Sequence, residues 1–257
     1  MNIDWVVISS DEKPAYADYY HFTASQWRHL GFKVCYVKVA EEPEEIAKTE
    51  YGLKVTLQSV EGVSPVLQGQ IARLYAARLL PPSNMLISDI DMIPVNAEYF
   101  RKCAEGFDAD NFLLYSGQPY GVVPYYPMCY VLGNTNHFID VLEIDQSFKD
   151  FALKLRDYHN SEWSTDEKYM YDKLVNYKNK FILKRRFDNR IDKSWPDMVE
   201  GVDKIKLCQG YYVDAHLPVP YSDHKDKVNE LVNFINNFPS SDLGKNISKE
   251  DTSLLKQ

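Results

Sequence analysis

An α/β domain with a mostly parallel central sheet flanked by helices is the fold class this sequence predicts, and three observations carry it. Apolar runs of strand length, at Trp5–Ile8 and Phe32–Val39, alternate with helical stretches, which is the pattern of βαβ units. A further short run, Met85–Ile93, follows Pro81 and Pro82 and carries Asp89 and Asp91 toward its end, where open α/β sheets place their ligands. At 257 residues the chain suits one large domain, expected over residues 1–239, better than two.

The first strand leads into an exit loop at Ser9, Ser10 and Asp11. Pro14 is tolerated in a first helical turn, where its missing N–H costs nothing, and it opens a helix expected to run to Leu30 and close at Gly31. After the second strand, Glu41, Glu42, Glu44 and Glu45 around Pro43 suit the positive end of a helix. Gln68–Leu80 is the clearest helix. Ile71, Leu74, Tyr75 and Leu79 form its apolar stripe, Gln70 and Arg73 lie on another face, and the two prolines end it.

Beyond the Asp pair, Glu98–Cys103 reads as a short helix, Asn111–Tyr115 and Met128–Leu132 as strands, and Thr135–Leu142 and Ser147–Tyr158 as helices. Ser116–Gly121 is a turn-rich loop. Phe181–Lys184, Lys206–Cys208 and Tyr211–Val213 are strand candidates, and between the first two Arg185–Arg190 is a basic loop that either helps with phosphate or is solvated. Asp223–Phe238 is an amphipathic helix with Val228, Leu231, Val232 and Ile235 on one face, and residues 240–257 are expected to form a poorly ordered polar tail.

Composition removes several function classes. A net charge of −8 speaks against broad nucleic-acid binding, which needs clustered Lys and Arg. Cys35, Cys103, Cys129 and Cys208 form no CxxC pair, so reduced thiols are expected rather than a zinc ribbon or a thioredoxin-like site. The absence of a leader pattern and of a membrane-span pattern makes a cytoplasmic protein the expectation. Nineteen Tyr and twelve Phe leave rings for ligand surfaces besides the core.

Chemistry concentrates in two stretches. Residues two apart in a strand share a side, so Asp89 and Asp91 converge if extended geometry persists beyond the apolar run. Paired hard oxygens suit Mg²⁺ or Mn²⁺ with positions left for phosphates; the alternative is a turn whose carboxylates face water. Arg73 is placed either to bind a diphosphate in forked geometry or to be solvated. In the second stretch, Ser164 or Thr165 caps a helix whose first turn holds Asp166 and Glu167. Those acids either complement the helix dipole or supply a general base beside Trp163.

This order of elements, with Asp89-Ile90-Asp91 after an apolar strand, Gln70 and Arg73 on the preceding helix and a Thr165-Asp166-Glu167 helix start, resembles a GT-A-fold, nucleotide-sugar-dependent glycosyltransferase. It is also similar to the small glycosyltransferase domains of large algal viruses (chloroviruses), over roughly residues 3–220, judged by element order. The resemblance implies a Rossmann-like sheet and a Mn²⁺ or Mg²⁺ ion held by Asp89, Asp91 and His216, the last in its Asp-Ala-His-Leu-Pro setting. It implies a nucleotide-sugar donor, UDP-linked by preference, against Ser9, Ser10, Asp11, Arg73 and Ser88, and a carbohydrate acceptor against Gln118, Tyr120 and Trp163. Asp166 would deprotonate the acceptor hydroxyl in an inverting, in-line displacement, and Glu167 is its substitute if Asp166 orients the donor.

Rivals are weaker. A HAD-type phosphatase would carry its Asp pair near the N-terminus with a small hydroxyl residue where Ile93 stands, and a sugar nucleotidyltransferase would carry a Gly-rich basic loop in place of Ser9-Ser10-Asp11-Glu12. A non-catalytic nucleotide- or carbohydrate-binding domain of the same fold is the alternative from a different class.

Overall fold

The computed structural model describes residues 1–115, 124–144, 147–159, 163–183 and 189–237. Gln118, Tyr120, the Ser116–Gly121 loop, residues 184–188 and the 240–257 tail lie outside them. In chain order the strands are β1 (Trp5–Ser10), β2 (Val34–Ala40), β3 (Glu45–Thr49), β4 (Gly52–Gln58), β5 (Asn84–Ile87), β6 (Met92–Pro94), β7 (Phe112–Leu114), β8 (Val131–Asn134), β9 (Lys180–Ile182), β10 (Arg190–Asp192) and β11 (Asp214–His216). The helices are α1 (Pro14–Ala17), α2 (Tyr20–His29), α3 (Pro65–Leu79), α4 (Ala97–Ala104), α5 (Thr135–Val141), α6 (Phe148–His159), α7 (Thr165–Leu174), α8 (Lys204–Cys208) and α9 (Tyr221–Asn237).

Among the described residues the large sheet runs β3-β4-β2-β1-β5-β8-β7-β9, and β3 and β8 are the antiparallel members. Its centre, β4-β2-β1-β5, is parallel throughout, as the alternation of strand and helix predicts. Strand pleating sends Val6 and Ile8 into one core, with Trp27, Phe100 and Tyr130, and sends Val7 into the other, with Ile71, Leu74 and Phe151. Because helices cover both faces, β1 reads as an unbroken apolar run. A second, three-stranded sheet has the order β10-β11-β6, with β11 parallel to β10 and antiparallel to β6.

Several expected elements change. Glu41–Glu45 opens no helix; instead Glu45–Thr49 becomes β3 and covers the outer edge of β4. The turn between them rests on Gly52 at φ +145°, where a Cβ would collide with the Val34 carbonyl. The helix expected from Pro14 to Leu30 breaks after Ala17, where the Tyr19 hydroxyl donates to the Pro218 carbonyl and its ring packs on Tyr221. Met85–Ile93 is not one strand: β5 stops at Ile87, the chain turns at Ile90–Asp91, and β6 joins the small sheet.

Lys206–Cys208 is helical, in α8, because the Asp203 side chain caps Ile205 and Lys206 N–H groups. Tyr211–Val213 is irregular and strand begins only at Asp214. The remaining elements match within a few residues. All four cysteines are free, and burial pushes the Cys35 thiol up to about 12. Among the described residues no helix is long and apolar enough to cross a membrane.

Candidate active site

Parallel neighbours β1 and β5 end side by side, and a cleft of about 270 Å³ opens over their C-terminal ends. Its floor depends on a close approach of α3. The Ser9 hydroxyl donates to the Gly69 carbonyl at 2.6 Å, and a Cβ on Gly69 would meet Asp11 N at 2.7 Å and Ser10 C at 3.0 Å. Glycine at this position is what lets the helix lie against the exit of β1.

The Asp89–Asp91 segment is held by its carbonyls. The Thr23 hydroxyl donates to Ile90 O at 2.6 Å, and Leu217 N donates to Asp91 O at 2.8 Å, which ties the turn to the end of β11. In the small sheet His216 stands opposite both Met92 and Asp192. His216 Nε2 consequently lies 3.3 Å from Asp91 Oδ2, and its Nδ1 lies 3.8 Å from Asp192 Oδ2. Burial works against the Asp192 charge, but the Ser194 N–H together with His216 and Arg190 holds its carboxyl below the usual range.

That register is locked by a buried fork. Arg190 donates from Nε to Asp214 Oδ1 at 2.9 Å and from Nη2 to Oδ2 at 3.0 Å. Burial disfavours the guanidinium charge, yet Asp214 more than offsets it and raises the Arg190 pKa above its ordinary value. Arg190 is thus an anchor between strands and not a member of a solvated loop.

Arg73 has the same character on the opposite wall. Its Nε and Nη2 donate to Asp166 Oδ2 at 3.1 and 2.5 Å, and its Nη1 donates to Asp89 Oδ1. Burial opposes the charge of Arg73, and Asp166 and then Asp89 overcome it, so its pKa is also raised. Asp166 is fully buried, and its other oxygen accepts from Glu167 N at 2.9 Å. Arg73 is therefore neither solvated nor turned outward: it joins the two carboxylate-bearing stretches found in the sequence.

Ser9, Ser10, Asp11, Trp163, Asp166, Glu167 and His216 all line this cleft with Arg73, Asp89 and Asp91. Ser10 is bonded inward, to Asp11 O and to the Tyr36 hydroxyl, both at 2.7 Å. Ser88 does not line it; fully buried, its hydroxyl donates to Asp89 O at 3.1 Å and supports the turn from behind. Trp163 stands 64% exposed at the mouth, with its carbonyl fixed by Gln70 Nε2 at 2.7 Å and its ring 6.5 Å from that of Tyr16.

Tyr16 and Lys193 are lining residues that sequence reasoning missed. Burial, and then Asp91, Asp89 and Asp11, raise the Tyr16 phenol. Lys193 Nζ lies 3.9 Å from Asp91 Oδ2. Neither sits in a motif, since each reaches the cleft only through long-range packing.

Among the described residues no three His, Cys, Asp or Glu side chains form a ready-made metal site, and Asp89 is paired with Arg73. The donor set nevertheless fits a hard divalent cation. Asp91 and His216 adjoin, Asp192 backs the far nitrogen of His216, and Arg73 engages only one oxygen of Asp89. The lining also carries five carboxylates, Asp11, Asp89, Asp91, Asp166 and Glu167, against two permanent cations, Arg73 and Lys193. An anionic ligand would be repelled from such a cleft unless a cation came with it.

No family model and no curated protein matches the chain. Among solved structures, the glycosyltransferase GlyE of Streptococcus pneumoniae aligns with a TM-score of 0.50 at 10% identity over 94% of this chain, which spans 65% of the length of GlyE. The galactosyltransferase LgtC, in complex with donor and acceptor sugar analogues, aligns at 0.49 and 12% identity, over 91% of this chain and 96% of that one. The likeness to GlyE is one of fold. The chain has the GT-A type of architecture: a mixed α/β domain whose large central sheet is flanked by helices.

Proposed function

We propose that this chain is a metal-dependent glycosyltransferase that moves a sugar from a nucleoside-diphosphate donor, a UDP-sugar by preference, to a carbohydrate hydroxyl. The observation that carries the reading is the meeting of Asp91 and His216 at 3.3 Å, beside Asp89, in an acidic cleft over the C-terminal ends of β1 and β5. Residues 125 positions apart have been brought together by a small sheet whose register places them there. The fold shared with GlyE and the order of motifs that resembles the viral glycosyltransferase domains support the same reading.

Asp91, His216 and the second oxygen of Asp89 would hold a Mn²⁺ or Mg²⁺ ion, which when bound neutralises charge on the departing diphosphate. The β1 exit at Ser9–Asp11 would receive the nucleoside, and Trp163 would offer its indole to the apolar face of the acceptor sugar. Of the two acids on α7, Asp166 is buried and occupied by Arg73, which suits a positioning role. Glu167 lines the same cleft and is half-buried, so we assign it the proton of the acceptor hydroxyl in an inverting displacement.

The test is nucleotide release from UDP- and GDP-sugars with Mn²⁺ and with EDTA, on the wild type and on Asp91→Ala and Glu167→Gln. Turnover of one donor that needs metal and Asp91 is the expected result. If no donor is cleaved and no nucleotide raises the melting temperature in the presence of Mn²⁺, the reading fails. Nucleotide binding without turnover would point instead to a non-catalytic binding domain of this fold.

A further inference from the structure

Lys193 is the feature of the cleft that no motif announced. Arg73 has one N–H on each of its three nitrogens engaged, Nε and Nη2 on Asp166 and Nη1 on Asp89, and the Asp166 side of this arrangement is almost closed to water. A diphosphate could take the Nε–Nη2 fork only by displacing the buried Asp166 carboxylate, which is strongly unfavourable. Lys193 is the other permanent cation of the lining, and its circumstances are the reverse. Its ammonium makes no hydrogen bond among the described residues, its single ion-pair contact there is the 3.9 Å approach to Asp91, and its side chain is 40% exposed.

The base of that side chain is fixed even though its end is not. The Arg190–Asp214 fork sets the position of β10. Immediately beyond it, Asp192 Oδ1 accepts from Ser194 N at 2.9 Å and Asp192 O accepts from Trp195 N at 3.0 Å, closing a turn with Lys193 inside it. The arrangement is a flexible arm with three donors on a rigid mount, on the side of the cleft where Asp91 meets His216. An ammonium acts as a point charge, so its attraction grows with the charge of the ligand.

We propose that Lys193 is the specificity-determining residue that reads the second phosphate of the donor, so that the cleft selects nucleoside diphosphates over monophosphates. Arg73 is a positioning residue for Asp89 and Asp166 and takes no part in that selection. The assignment rests on the glycosyltransferase reading above.

Calorimetric titration of UDP, UMP and uridine, each with Mn²⁺, into the wild type, Lys193→Ala and Lys193→Arg tests it. Losing one charge-assisted contact should weaken UDP by about tenfold to a hundredfold in Lys193→Ala, weaken UMP less and leave uridine unchanged. Lys193→Arg should keep most of the UDP affinity. An unchanged UDP affinity in Lys193→Ala, or an equal loss for all three ligands, overturns the proposal while the wider reading stands. If the wild type binds none of the three, the glycosyltransferase reading falls and takes this proposal with it. Should Lys193→Ala not fold, Lys193→Gln serves the same series. Mn²⁺ alone should bind Lys193→Ala at least as well as wild type, since a neighbouring positive charge has been removed; weaker Mn²⁺ binding with unchanged UDP binding counts against the proposal.

Discussion

The large sheet and the small sheet are joined through the turn that carries Asp91, and they are held in different ways. In the large sheet the strands β1, β2 and β5 are packed by fully buried aliphatic side chains such as Val6, Val7, Val37, Met85 and Ile87. In the small sheet the strands are three residues long and come from positions 92–94, 190–192 and 214–216. Their buried Met92, Ile93, Ile191 and Ala215 join the apolar core, and charged and polar groups add directional contacts: the Arg190–Asp214 fork, and Asp192 facing His216. Apolar packing aims the ends of whole strands, whereas directional ionic contacts fix one register and hence one set of facing atoms. A site that must bring single oxygen and nitrogen atoms to within a few ångströms of one another uses both.

The sharpest way to break this comparison is at the junction. Asp91→Ala should lower metal-dependent turnover by about a hundredfold or more. It should hardly move the melting temperature, because the Asp91 carbonyl still accepts from Leu217. Unchanged turnover would remove Asp91 from the chemistry.

Next in size, Arg190→Ala removes both forked donors from the fully buried Asp214 and should cost about 3–5 kcal/mol in urea unfolding. The paired change Arg190→Met with Asp214→Leu should recover most of that stability, because buried ion pairs are often replaceable by apolar residues. If it also recovers full nucleotide binding, the fork is not needed for register and the contrast between the two sheets weakens.

Gly69→Ala probes the large sheet by the same measure. Its new Cβ falls 2.7 Å from Asp11 N, so either α3 or the β1 exit must shift, at about 1–3 kcal/mol, with weaker nucleotide binding than wild type. A variant as stable as wild type would show that this contact relaxes freely.

The smallest effect is expected outside both sheets, at Glu143, which pairs with Lys154 and Lys173 on the surface. Hydrogen bonds from Lys173 and then Lys154 hold its carboxyl below the usual range. Its contribution is therefore present above the unfolded carboxyl pKa of about 4.3 and is lost as pH falls through the lowered folded value. Glu143→Gln should cost less than about 1 kcal/mol near neutral pH, shrinking in high salt, because the pair is exposed. A larger or salt-independent loss in pH-resolved unfolding would contradict that account.

Much of this architecture was legible in local pattern. The unbroken apolar runs of β1 and β2, the 3.6-residue stripe of α3 and the punctuation by Pro81 and Pro82 pointed to a parallel sheet with a ligand site at its C-terminal edge. The acids at 89, 91, 166 and 167 stood out as chemistry beside such elements. Other features were hidden. The β3–β4 hairpin was obscured by the acids of Glu41–Glu45, and α8 was masked by the apolar and aromatic residues around Lys206, although the Asp203 cap was a signal that could have found it.

By itself, then, the sequence determined the central parallel strands, the helix that carries Arg73, and the residue types available for a metal and an anion. Only the tertiary structure decided that Arg73 spends its charge on Asp89 and Asp166, that His216 turns toward Asp91, and that Lys193 reaches the same cleft. The physical reason is range. Periodicity and capping report on neighbours within one or two turns, while the Arg73–Asp166 contact depends on how α3 docks against α7, and the His216 and Lys193 contacts on the pairing of short strands from distant parts of the chain, whose register is set by burial and charge pairing that no local window contains.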